Sequence, residues 1–477
     1  MSHLPHTIFR STLTFSVWAF ILVTSLFFLW GFAYGLLDVL NKHFQNTLGI
    51  TRTQSTGLQA AYFGIGYFAY SPVAGEILKR RGYKFAIISG LCLYSIGAIL
   101  FWPVAHFSIG TNNPQAIFAG FVVCTAVIAC GLATLEVSAN SYVTVMPPHE
   151  IAGLRLQFSQ SFNGVASFSG PLIASKYFFS GAHADDLTTV QYVYMAVAGL
   201  GLMVGLAFFF TKLPEVSEEA LQAEAEALAH AQGGDSNLDK PFWKQTRPIT
   251  GFVAQFLYVG AQVTIGTFFL NYTHDVALLK DSEGSQLLSY GLITFTVCRF
   301  IGVALLSVIS APILLAACAL GALLMVILIG SLSGIGGVVC LIAVMGFESI
   351  MYPVIFVLGT TGLGRHTRRA AGLLVMGVAG GAVFPPMQGA ISEGGKVKVS
   401  FFICIPCFLY IFGWAMWIWN KDGRRWTATK ASREIEREVE VNAGGAFPPA
   451  AGLGYNGEKP HYESSEIKED LERVERA

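Results

Sequence analysis

The sequence is poor in charge. Of its 477 residues only 13% are Asp, Glu, Lys or Arg, against about 25% in soluble domains. Lys plus Arg number 30 and Asp plus Glu 30. With no net charge and no basic stripe interleaved with aromatics, no nucleic-acid partner is expected. The chain lacks the G-x-S-x-G, H-E-x-x-H and G-x-x-x-x-G-K patterns, and its ten His are scattered. That leaves no basis for hydrolase or zinc-protease chemistry, or for a motor running on its own ATP. The eight cysteines fall mostly in apolar runs (Cys92, Cys124, Cys130, Cys298, Cys318, Cys404 and Cys407 among them) without the paired spacing of a zinc site. They read as small core hydrophobes, and neither a metal nor an organic cofactor is expected. A cleavable leader is not indicated either. The first apolar stretch, Leu13 to Leu40, far exceeds the ~7–15 residues of a signal-peptide core, and no A-x-A site follows.

What the chain has is apolar length. Hydrophobic residues make up 53% and glycines number 51, and mean hydropathy is +0.55. A helix needs about 20 apolar residues to cross a bilayer. Twelve stretches qualify: 13–40, 56–78, 85–107, 115–140, 154–179, 190–211, 248–272, 286–308, 312–331, 335–360, 371–391 and 399–420. The expectation is an all-α membrane protein in the lipid bilayer, with twelve transmembrane helices. Lys and Arg concentrate in KRRGYK (79–84), RHTRR (365–369) and KDGRR (421–425), while 108–114 has none and 273–285 only Lys280. The positive-inside rule then puts both termini in the cytoplasm. The Ala/Glu run in 213–247 favours helix and GGDSN breaks it. This predicts two six-helix halves, 1–212 and 248–420, a solvated linker, 213–247, and a mostly disordered charged tail, 421–477.

Two lone acids stand inside apolar spans. Asp38 ends TSLFFLWGFAYGLLDVL and Glu136 lies in VVCTAVIACGLATLEVSANSYVTV. A charge at the bilayer centre costs about 2.5–3.5 kcal/mol on insertion scales, so such residues face a bundle interior or a watery cavity. The pair points to movement of a solute, with protonation as the driving event and the proton as coupling ion. The alternative for Asp38 is an interfacial residue capping the next segment, and for Glu136 a structural hydroxyl partner. Polar side chains cluster by helical spacing. Asn140 is i+4 from Glu136, Gln160 and Asn163 are i,i+3, and Gln255, Tyr258 and Gln262 form an i, i+3, i+7 stripe. Each set either lines a cavity or ties helices together. Glu348 in GFESIMYPVIF is a third intramembrane acid, either titratable or ligand-binding, or else capped and mute. Arg299 needs a partner in an apolar interior, and a backbone-carbonyl clamp or a supporting pair suits it better than substrate contact.

The halves echo each other. Glu136 is followed by Gly153 and Gly170, Glu348 by Gly372 and Gly389, with 17 residues between the glycines each time, and AGL opens both 152–154 and 371–373. A parallel repeat of this kind suggests a major facilitator transporter. The segments FFLWGFAYGLLDVLNKHFQ (27–45), GLATLEVSANSYVTV (131–145), LRLQFSQSFNG (154–164), AQFLYVGAQ (254–262), CRFIG (298–302) and YPVIFVLG (352–359) resemble the fucose/glucose–galactose permease family of that superfamily. The likeness spans roughly 15–420. It implies the major facilitator fold, with two pseudo-symmetric six-helix bundles. It ties the carboxylate at Asp38 to proton coupling, gives Glu136 both the sugar site and coupling, and places Gln160 and Asn163 at the cavity. Lys79, where most of the superfamily has Asp, fits the branch. Leu37, where bacterial permeases have Asn, departs from it, and Glu348 stands where those relatives are uncharged.

The resulting expectation is a monomeric symporter importing a monosaccharide with a proton. Proton coupling is assigned to Asp38 and Glu136. Binding is assigned to Glu136, Asn140, Gln160, Asn163, Gln255, Tyr258, Gln262 and Glu348. An exporter of another small metabolite or drug should tolerate loss of the polar stripe, and a non-transporting sugar receptor should have lost the coupling acids. Both acids are present.

Overall fold

The computed structural model describes residues 17–33, 35, 57–107, 113–146, 151–178, 188–216, 218–231, 240–424 and 426. Their regular elements are helical. In chain order these are α1 (Val17–Ala33), a π-helical segment (Ala60–Tyr70) running into α2 (Ser71–Phe107), α3 (Pro114–Val145), α4 (Ala152–Phe178) and α5 (Thr188–Phe210). Then follow α6 (Glu218–Ala231), α7 (Thr246–Asp275), α8 (Asp281–Leu306), α9 (Ala311–Ser331), α10 (Ile335–Glu348) and α11 (Met351–Thr360). The last are α12 (Thr367–Met376), α13 (Gly380–Ser392) and α14 (Val397–Lys421). Each of the twelve predicted stretches carries described helix. Nine helices among the described residues are long and apolar enough to cross a membrane, and one of them, Gly57–Phe107, contains two predicted spans. Asp38 and the tail beyond 426 lie outside the described residues.

Helix is the expected answer because hydrocarbon offers no partner to a backbone N–H or C=O. Local chemistry sets the ends. Asn113 caps α3 by accepting the Ala116 N–H at 3.2 Å, with Pro114 in the first turn. The second and third predicted spans are divided at Gly82, whose φ of +80° suits glycine. A Cβ there would meet the Glu215 carboxylate at 2.2 Å. The tenth and eleventh spans are broken helices. Residues 349–350 separate α10 from α11, just before Pro353, and a 3-10 turn, Gly377–Ala379, separates α12 from α13. Proline removes a helix hydrogen bond, and the freed groups at such breaks need partners within the protein.

In the first half α2 packs on α3 and α5; in the second α7 packs on α11 and α13, and α9 on α10 and α14. The halves meet where α4 lies on α8 and α2 on α12. The backbones of α2 and α12 come close at Gly75 and Gly372, where a Cβ on Gly75 would sit 3.1 Å from the Gly372 Cα. Next to it, the Glu76 carboxylate takes Arg80 at 2.7 Å and Arg369 at 2.8 Å. The guanidinium of Arg368 lies 5.0 Å from the Tyr83 ring centre. The two Lys/Arg-rich loops therefore sit together on one face. The Ala/Glu run of the linker is helical as composition predicts, but α6 is not fully solvated. It buries Leu221 and Ala225, and Gln222 Oε1 accepts the Arg365 N–H at 3.2 Å. Large apolar side chains such as Ile96, Val123, Leu206, Val297 and Leu324 remain outward and exposed, as suits a lipid-facing surface.

Candidate functional site

A cavity of about 430 Å³ lies between the halves, within the ~300–1,000 Å³ of small-molecule sites. Of the residues predicted for the site, Gln160, Asn163, Gln262 and Glu348 line it. Asn140 and Glu136 are buried behind that wall. Tyr258 is buried too, and its hydroxyl donates to the Glu348 carbonyl at 3.0 Å. The break after Glu348 is what releases that carbonyl. Gln255 does not line the cavity. It is buried with both amide atoms unpartnered among the described residues, and its Cβ packs below Gly377. The i, i+3, i+7 stripe is thus divided, because α7 turns only Gln262 toward the opening.

A chain of hydrogen bonds links the cavity to Glu136. The Nη1 of Arg299 donates to the Gln160 carbonyl, to Gln160 Oε1 at 3.5 Å and to Asn163 Oδ1 at 3.2 Å. Gln160 Nε2 donates to Asn140 Oδ1 at 3.4 Å, and Asn140 Nδ2 to the Tyr352 hydroxyl at 3.4 Å. The Tyr352 hydroxyl donates to Glu136 Oε1. Glu136 Oε2 has no partner among the described residues. Glu136, Asn140 and Gln160 come from α3 and α4, whereas Tyr352 and Arg299 come from α11 and α8, so the chain crosses between the halves three times. Arg299 is the carbonyl clamp that its apolar surroundings call for. It also lies 4.6 Å from the Phe295 ring centre. Among the described residues no cluster of three or more His, Cys, Asp or Glu is placed to hold a metal ion, and the eight cysteines are free thiols.

Sequence reasoning missed Tyr352. Its ring lies 6.4 Å from that of Trp30 and 6.2 Å from that of Tyr258, and it lines the cavity with Trp30, Tyr62 and Tyr67. The available signal was its place: i+4 from an intramembrane acid and directly before a proline.

A multi-pass helical membrane protein with a solute-sized cavity between its halves, lined by apolar side chains and a few polar ones, has the build of a secondary transporter. The chain belongs to the Major Facilitator Superfamily, whose family model matches residues 20–386. It is 32% identical over 395 residues to a glucose/galactose transporter of Brucella abortus, covering 82% of this chain and 91% of that protein. It is 30% identical over 430 residues to an L-fucose-proton symporter of Haemophilus influenzae, covering 83% and 96%. The solved structure of the transporter FucP in the outward conformation superposes with a TM-score of 0.73 at 29% identity, covering 85% of this chain and 99% of that one.

Proposed function

We propose that the chain is a proton-coupled symporter that imports a monosaccharide, L-fucose or a hexose, by alternating access. The observation that carries this reading is Glu136. It is a buried carboxylate held by a tyrosine from the opposite half, and a donor chain joins it to the cavity-lining Gln160. Halves that rock apart must break that bond. A proton arriving at Glu136 changes an ionised acceptor into a neutral one, which accepts more weakly. Sugar contact at Gln160 disturbs the other end of the same chain. The sugar and proton named for the relatives support the cargo and the ion.

In this reading Asp38 and Glu136 carry the coupling proton. Glu136, Asn140, Gln160, Asn163, Gln262 and Glu348 serve the sugar, with Gln255 and Tyr258 acting from behind the cavity wall. The halves 1–212 and 248–420 move about the linker 213–247. The protein works as a monomer in the plasma membrane with both termini cytoplasmic. The adjacency of the basic loops 79–84 and 365–369 supports that orientation. The test is uptake of labelled L-fucose and a panel of hexoses by transporter-null cells expressing this chain at two external pH values. Sugar accumulation that rises at the lower pH is the expected result, and the reading fails if no sugar of the panel is taken up.

A further inference from the structure

The cavity's two walls differ in what they leave free. On the first-half wall, Asn163 Oδ1 accepts from Arg299 and Asn163 Nδ2 donates to the Phe27 carbonyl. Gln160 gives Nε2 to Asn140, and its carbonyl is clamped by Arg299. Both amides already hold protein partners on oxygen and nitrogen before any ligand arrives, with one N–H of each left over.

The second-half wall is different. Glu348 lines the cavity and is 1% exposed. Its Oε1 is fully buried with no hydrogen-bond partner among the described residues. It is the last residue of α10, where the helix dipole offers a carboxylate no support. A buried acceptor left unmade costs about 1–3 kcal/mol and more when charged, so this position rewards any donor that enters. Gln262 lines the same cavity. It stands one turn along α7 from Tyr258, whose hydroxyl holds the Glu348 carbonyl at 3.0 Å. That bond ties together the two helices that carry Glu348 and Gln262.

We infer that Glu348 and Gln262 form the hydroxyl-reading subsite of the cavity. Glu348 accepts a hydrogen bond from one ring hydroxyl of the ligand, and the Gln262 amide pairs with a neighbouring one. The ligand class is a polyol with adjacent hydroxyls. This rests on the sugar-transport reading above and adds where ring hydroxyls are told apart.

The test uses purified full-length protein, the best-transported sugar and its singly deoxygenated analogues, with affinities measured by calorimetry. In the wild type, one ring position should cost about ten- to a hundredfold in affinity when its hydroxyl is removed. Glu348→Ala should weaken the parent sugar by a similar factor. It should also abolish the penalty at that one position while leaving the penalties at the others. Glu348→Gln, which keeps an acceptor oxygen, should bind the parent sugar more tightly than Glu348→Ala. If Glu348→Ala does not fold, Gln262→Ala supplies the same comparison at the adjacent ring position. Deoxy penalties identical in wild type and variants overturn the inference while leaving sugar transport standing. So does a Glu348 variant that changes only the pH dependence of binding, since that would mark a proton site. Absence of any sugar binding to the wild type overturns both.

Discussion

Tyr352→Phe removes one oxygen and leaves the ring. Packing against Trp30 and Tyr258, at 6.4 and 6.2 Å between ring centres, is preserved. The loss is the hydrogen bond to Glu136 Oε1. Glu136 Oε2 already lacks a partner among the described residues, so the buried carboxyl would lose the donor that reaches it from the opposite half and keep only Tyr67 of its own half beside it. A hydrogen bond to a charged group is worth about 1.5–3 kcal/mol and one between neutral groups about 0.5–1.5. The bond joins α11 to α3, so its worth favours the state in which the halves touch at Gly75 and Gly372. Losing it should shift the population roughly ten- to a hundredfold toward states that lack it when Glu136 is ionised, because about 1.4 kcal/mol is tenfold. When Glu136 is protonated the shift should be several-fold smaller. Spin labels at positions 81 and 365, both exposed and on the two basic loops, would report the separation of the halves by pulsed electron resonance. Tyr352→Phe should increase the long-distance component, and more so at high pH than at low. Identical distance distributions for wild type and Tyr352→Phe at both pH values would refute the reasoning, since the bond would then not bias the halves.

Asp38→Asn should abolish accumulation against a gradient while sugar binding stays largely intact, and uphill uptake at the wild-type rate would remove Asp38 from coupling. Gln160→Ala or Asn163→Ala should weaken sugar binding by about 1–3 kcal/mol in calorimetry, and unchanged affinity in both would move the site elsewhere. His366, in the basic loop outside the predicted spans, donates its Nε2–H to the Lys240 carbonyl at 3.2 Å. Burial, with the nearby charges of Arg365, Lys79 and Arg369, holds its pKa below the ordinary 6.5 against the pull of that carbonyl. Its stabilising effect is therefore present above pH 6.5 and is lost as pH falls below it. Thermal unfolding in detergent should show this loss between pH 7.5 and 5 in the wild type, and less of it in His366→Gln.

How much of this was legible in the sequence follows from what carries each feature. Spans are written in composition, because every residue of a crossing helix is constrained by lipid. α7, α9 and α14 accordingly begin and end within a few residues of the predicted 248–272, 312–331 and 399–420. Burial of Glu136 and Glu348 was legible for the same reason. Which neighbour meets which acid was not. Helical spacing placed Asn140 beside Glu136 on one face, and the structure keeps them close through Tyr352 rather than by direct contact. Gln255 shares its helix face with Tyr258 by spacing, yet packs under Gly377 instead of opening on the cavity. Contacts of that kind depend on which neighbouring segment meets each face of α7, and no local pattern in α7 encodes it.

The repeat relation between Glu136 and Glu348 makes the remaining difference informative. Each acid has a polar residue four positions on, Asn140 and Tyr352. In α3 the helix is continuous through Glu136 and Asn140, so the pair stays on one face, and the carboxylate takes a hydrogen bond from Tyr352 of the other half. In the second half the helix breaks directly after Glu348. The break frees a carbonyl that Tyr258 takes up, and Tyr352, on the new segment, reaches across to Glu136. The longer tyrosine side chain at the position equivalent to Asn140 makes that reach possible. Glu348 is then left with no donor among the described residues, at the wall of the cavity. A near-symmetric sequence thus produces two unlike acids. One is engaged across the interface between the halves, where, in the proposed mechanism, its protonation would bias them. The other is buried at the cavity wall without a donor among the described residues, the position from which the proposed subsite would read a ligand hydroxyl.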